Sequence, residues 1–214
     1  MALHELCQLY WQPLCSFVRH SGYGKEDAED LTQEFLAHVI EKRYLGRVDA
    51  EKGKLRSFFL AYLKYFLADK RKAAGRLKRG GGHTMVSLDS EEGNQGLHAG
   101  VADTTTPEDV YERSWALTLL ELVLSNLEQE FIDEGKGELF RTLKPHLQFG
   151  GNTQELNLVA EKLGIKVGAV KVAIYRLRQR YRAALRRQIT QTLAEGEDVD
   201  DEMRHLFRVL SEKS

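Results

Sequence analysis

Two stretches of the chain carry side chains whose types and spacing suit one chemistry, the binding of nucleic acid. Residues 162–187 hold nine basic side chains and no acidic one; residues 54–82 hold nine basic side chains and a single acid, Asp69. In the first stretch, Lys171, Tyr175, Arg178 and Arg182 fall on one flank of a helix and Arg176, Arg180 and Arg187 on the other. Such flanks can meet phosphates and base edges in a duplex groove. In the second, Phe58, Phe59, Tyr62, Tyr65 and Phe66 are interleaved with Arg56, Lys64, Lys70, Arg71 and Lys72. Rings in a positive groove can stack unpaired bases. Rings three and four apart on a helix also make an ordinary core, and Phe59, Leu63 and Phe66 are expected to be buried. The competing reading of 162–187 is a solvated basic helix, or one that meets a membrane surface or an acidic protein.

The total charge conceals this. The 214 residues carry 31 basic and 32 acidic side chains, a net charge of −1 that by itself argues against a nucleic-acid partner. The two blocks are net +8 and +9, so the remainder is net −18 and could shield both blocks from non-specific DNA. Other chemistries find little support. Cys7 and Cys15 are too few for a disulfide framework and suit a cytoplasmic location. With His4 they form no CxxC-type ligand set, so no metal is expected. Gly22–Lys25 and Gly80–Gly82 lack phosphate-loop spacing, and the seven histidines fall in no local catalytic motif. No enzyme activity and no cofactor are expected. No secretory signal is evident, and apolar runs fall short of the ~18 residues of a membrane span.

The elements that must position the two basic stretches are all helical. Apolar residues at three- and four-residue steps predict helices over Leu3–His20, Lys25–Tyr44 and Leu55–Lys72. Residues 83–106 change to Ser, Gly, Asp and Thr and read as an acidic linker. Thr106-Pro107 is a helix start, with Thr as N-cap and Pro at N1, for a helix to Asp133. Shorter helices follow at Leu139–Leu147 and Thr153–Leu163, then a long one at Val167–Thr192 and a last one at Asp200–Leu210. The expected organisation is a helical domain at 1–82, the linker at 83–106, a second helical domain at 107–192 and an extension at 193–214. That extension ends in an amphipathic helix expected to pack on the second domain, or to restrain its basic helix.

Residues 158–176, LVAEKLGIKVGAVKVAIYR, have the pattern of a helix-turn-helix: a short helix, Gly164 in the turn, apolar Ile165, then a second helix. The first domain resembles region 2 of bacterial RNA polymerase sigma factors of the extracytoplasmic-function group, through DAEDLTQEFL (27–36), RSFFL (from Arg56) and DKRK (69–72). The second resembles region 4 of the same group, through VAEKLGI (159–165) and VGAVK (167–171). The resemblance implies two helical domains that bind core RNA polymerase and promoter DNA. It implies polymerase docking by Asp30, Gln33 and Glu34 on the largest subunit, and flap-tip contact by the helices from Thr106 and Leu139 on the second-largest. Contact with a −10-like element, duplex and melted, falls to Lys64, Tyr65, Lys70, Arg71, Lys72 and Arg76, with bases captured near the Gly46–Gly53 loop. Contact with a −35-like element falls to Lys171, Tyr175, Arg176, Arg178 and Arg182. An anti-sigma factor or other regulatory protein is a further partner of such chains. The rivals are a helix-turn-helix regulator of duplex DNA without sigma activity, and a helical module for acidic protein partners.

Overall fold

The computed structural model describes residues 3–42, 54–80, 105–147 and 153–211, excepting the side chains of 74–80 and 153. Every extended element among them is a helix, so the all-α expectation holds: α1 Leu3–His20, α2 Lys25–Glu41, α3 Leu55–Gly80, α4 Pro107–Asp133, α5 Gly137–Leu143, α6 Thr153–Leu163, α7 Val167–Thr190 and α8 Val199–Ser211. A 3-10 turn at Lys144–His146 extends α5. The Gly46–Gly53 loop and nearly all of the 83–106 linker lie outside the described residues. No described helix is long and apolar enough to cross a membrane.

Local signals account for several helix ends. The Thr106 hydroxyl accepts from the Asp109 backbone N–H at 3.1 Å, and the Asp109 carboxylate accepts from the Thr106 N–H at 3.0 Å. This reciprocal box satisfies two of the N–H groups that a helix start leaves open, and Pro107 has no N–H to satisfy. The third helix runs on to Gly80, past the expected end at Lys72. Gly75 costs such a helix about 1 kcal/mol relative to alanine, and the alanines and basic residues around it favour continuation.

Two cores organise the packing, and they do not divide at the linker. The first gathers Tyr10, Leu14 and Phe17 of α1, Phe35 and Val39 of α2, and Phe59, Leu63 and Leu67 of α3. It continues without a break into Tyr111, Trp115, Leu119 and Val123 of α4, Leu185 and Ile189 of α7, and Met203 and Leu206 of α8. The second core joins Leu127 and Phe131 of α4 to Phe140 and Leu143 of α5, Val159 and Ala160 of α6, and Val170, Ile174 and Leu177 of α7. The sequence places a domain boundary at 83–106, with separate cores on either side. In the structure the first core draws on both sides, because α4 packs along α1 and the division falls within α4 and α7. Lys54 pairs as an isolated antiparallel bridge with Leu193, and the Leu55 N–H donates to the Thr192 carbonyl at 3.0 Å. The C-terminal helix α8 packs on α4 and α7, helices of the expected second domain, and through Met203 and Leu206 it also joins the first core.

Candidate nucleic-acid interface

The second core builds a rigid frame for the basic helix. Gly164 has φ +65°, the left-handed conformation a helix C-terminal turn favours and in which a side chain would be strained. The Ile165 N–H returns to the Ala160 carbonyl at 3.0 Å, closing the turn between α6 and α7. Buried Val170, Ile174 and Leu177, three and four residues apart and so on one side of a helix, then fix the rotation of α7. Lys171, Tyr175, Arg176 and Arg182 face solvent, with Tyr175 62% exposed. None of the four has an ion pair or hydrogen bond among the described residues.

Arg178 departs from this group. Its guanidinium donates to the His146 carbonyl at 2.8 Å and the Leu147 carbonyl at 3.2 Å, closing off the end of the 3-10 turn. The resemblance gives it to DNA; in the structure its guanidinium ties α7 to the end of the 3-10 turn that follows α5. Its flank position is real, but the flank faces carbonyls that only tertiary packing brings there. Arg178→Ala should therefore lower stability by about 1–3 kcal/mol. Thermal unfolding checks this, and duplex affinity measured on the folded fraction should not change.

Other arginines of α7 are also committed. Arg180 lies 4.2 Å over the Phe131 ring and pairs with Glu134 at 2.8 Å and Glu130 at 3.0 Å. Arg180, with Lys136, holds the Glu134 carboxyl down at about 2. Arg187 approaches Glu130 at 3.7 Å, and Arg186 pairs with Asp200. The acidic start of α8 thus meets the basic helix at its end, through Arg186, and among the described residues makes no ion pair with Lys171–Arg182.

On α3 the expected contacts divide differently. Phe59 is buried against Tyr10, ring centroids 4.5 Å apart, and Leu63 is buried with it; Phe66 is only half-buried. At 100° per residue, Phe58, Tyr62, Tyr65 and Phe66 lie within about 100° of arc. Phe58 and Tyr62 stack at 5.8 Å, His38 of α2 stacks on Tyr62 at 6.1 Å, and Tyr65 is 70% exposed at the edge. This is a ledge on which a base could stack. Its cations are mostly engaged. Lys64 pairs with Glu108 at 2.5 Å across to α4, and Lys70 pairs with Glu34. Arg71 donates to the Tyr23 hydroxyl at 3.0 Å and to the Ser21 carbonyl at 3.3 Å. Lys72 is exposed and has no such partner among the described residues; the Arg76 side chain lies outside them. Asp30 and Gln33 are exposed on α2, whereas Glu34 is tied to Lys70.

The sequence reading missed the buried ionic cluster around Arg56. Arg56 is 7% exposed and donates from Nε to Glu202 at 2.5 Å and from Nη1 to both Glu112 oxygens at 2.6 and 2.7 Å. Its guanidinium also sits 5.2 Å over Trp115. Lys54 reaches Glu202 at 2.8 Å, and His205 meets Glu112 at 2.9 Å. Arg56 is therefore not one of the cations interleaved with the aromatics for nucleic acid; it ties α3 to α4 and α8. A signal existed: Glu202 lies beside Met203 and one turn before Leu206 on an apolar stripe, a position where a carboxylate needs a buried partner.

Burial opposes ionisation of Glu202, but hydrogen bonds from Arg56 and Lys54 outweigh it and hold its pKa below the ordinary 4.5. A lowered folded-state pKa stabilises the fold above the unfolded value, and that stability is lost as pH falls through the folded value. Glu202→Gln should therefore be less stable than the parent at neutral pH, with the gap closing in acid. Urea unfolding from pH 7 to 3 reads the gap directly; a gap independent of pH would assign Glu202 a purely steric role.

A scan against protein-family models found no match, and searches of curated proteins and of solved structures likewise found none.

Proposed function

We propose that the chain is a promoter-specificity subunit of the sigma type, which binds core RNA polymerase, contacts two promoter elements and promotes strand opening. The observation that carries this reading is the set of exposed side chains on the two flanks of α7 that have no partner among the described residues. Lys171, Tyr175, Arg176 and Arg182 are solvent-facing and uncommitted on a helix whose rotation is fixed by a helix-turn-helix core. Lysines and arginines on such flanks supply the phosphate and base-edge contacts of duplex recognition. The aromatic ledge of α3 supports contact with unpaired bases, and exposed Asp30 and Gln33 on α2 support docking on polymerase. Opening DNA needs no covalent step: capture of unstacked bases and phosphate contacts offsets the cost of separating the strands.

The second reading is a duplex-binding regulator without sigma activity. One feature favours it: among the described side chains, α7 carries three cations without a partner, Lys171, Arg176 and Arg182, whereas on α3 Lys64, Lys70 and Arg71 are held by other groups of the chain and Lys72 is not. Run-off transcription with core polymerase separates the two. Promoter-dependent initiation supports the sigma reading; duplex binding without initiation supports the regulator. Under the sigma reading, Asp30→Lys with Gln33→Lys should weaken core-polymerase binding in a pull-down while leaving unfolding and duplex affinity unchanged. Normal polymerase retention by that variant would move the docking surface elsewhere.

A further inference from the structure

A cavity of about 580 Å³ opens between the end of α4, α5 and the first half of α7. Its walls are Phe131, Leu139, Leu143 and Leu177, with Val172 at the opening. It exists because α7 presents Gly168, Ala169 and Ala173 to this side, and a Cβ added at Gly168 would meet no atom within 4 Å. The lining contains three cations, Lys136, Arg176 and Arg180, and no carboxylate. Arg180 is taken by Glu130 and Glu134, and Lys136 by Glu134. Arg176 is the lining cation left without a partner among the described residues.

Volume, wall chemistry and charge together limit the occupant. The volume falls within the range of small-molecule sites, which are mainly apolar with a few polar groups that fix orientation. Apolar walls offer nothing to a sugar or a free phosphate, which would lose hydration without replacement. A free guanidinium at the opening favours an anionic head over a neutral or cationic one. Val172 is also 48% exposed, an apolar surface that a helix turned only toward phosphates does not need.

We propose that this cavity binds a small amphipathic acid, an apolar body seated against Phe131, Leu139 and Leu143 with its carboxylate on Arg176. Its walls on α4 and α5 belong to the helices that the resemblance gives to flap-tip contact, so under the sigma reading an occupant would compete with polymerase there, while binding of the acid itself requires neither DNA nor polymerase. It would, however, take up Arg176, which lies on the flank of α7 opposite Lys171 and Tyr175 and which the proposed function also gives to DNA.

Decanoate titrated into the full chain by calorimetry tests it, with 1-decanol as the uncharged comparison. The expected result is saturable binding of one decanoate per chain, with decanol weaker by about tenfold or more, the effect of losing one charge-assisted contact. Arg176→Ala should reduce decanoate affinity by a similar factor. Gly168→Leu, which fills the opening and replaces a poor helix former, should abolish binding while its thermal unfolding stays cooperative. Absence of saturable decanoate binding overturns the proposal and leaves the groove to a polypeptide partner. Equal affinity for decanol, or unchanged affinity in Arg176→Ala, overturns the anion recognition; retention of binding in folded Gly168→Leu overturns the location.

Discussion

Arg56→Ala is expected to lower the unfolding free energy by about 3–5 kcal/mol, the range for removing one member of a buried ion pair. The reason lies in what remains. Glu202 is almost fully buried, and Glu112 is largely so; without Arg56 they keep, among the described residues, Lys54 and His205 as partners. Burial alone would lower the Arg56 pKa, but Glu202 and Glu112 raise it instead, so the guanidinium is held charged. Arg56→Lys should recover little, because one ammonium cannot span Glu202 and both Glu112 oxygens. Replacing Arg56, Glu112 and Glu202 together by apolar residues of similar volume should cost much less than Arg56→Ala, since no buried charge is then left unpaired. Urea unfolding of these variants decides the matter. A loss below about 1 kcal/mol in Arg56→Ala, the scale of a surface pair, would mean that the cluster is open to water in solution.

Combined replacement of Lys171, Arg176 and Arg182 by alanine should weaken duplex binding about a hundredfold or more, at about 1 kcal/mol or more per contact. If all three meet phosphates, the slope of log affinity against log salt should fall by about 2.7, from ~0.9 per neutralised phosphate. The control is internal to the same helix. Arg180 and Arg186 carry the same charge but are held by Glu130, Glu134 and Asp200; removing them should change the slope by less than replacing the free three. Fluorescence anisotropy on one duplex across a salt series measures both. An equal change of slope per charge removed in the two sets would mean that net charge, not the exposed positions of α7, governs binding.

These two expectations also mark where sequence reasoning reached and where it stopped. Leu3–His20, the Thr106-Pro107 start and the helix-turn-helix around Gly164 were legible because each depends on spacing or capping within a few residues. The stripe Val170, Ile174, Leu177 was legible for the same reason, and it fixes which way Lys171 and Tyr175 face. What a charged side chain does was not legible. Arg56 and Arg178 look in the sequence like members of two basic surfaces. Their partners lie 146 residues away at Glu202 and 32 residues away at His146, and periodicity says nothing about contacts at that range. The shared first core was hidden likewise: the helix from Thr106 reads as the start of a second domain, when its Tyr111 and Trp115 join one core with α1.

The packing of α4 has a thermodynamic corollary. Its 27 residues span about 40 Å at 1.5 Å per residue, and that rod is shared by both cores. A partner that engages α3 and α7 in some other mutual arrangement must first free α3 from α4 and α8. Its observed affinity is then its intrinsic affinity multiplied by the small fraction of molecules already released. Changes to Glu112 or Glu202, neither of which would touch such a partner, would raise that fraction and tighten binding from a distance.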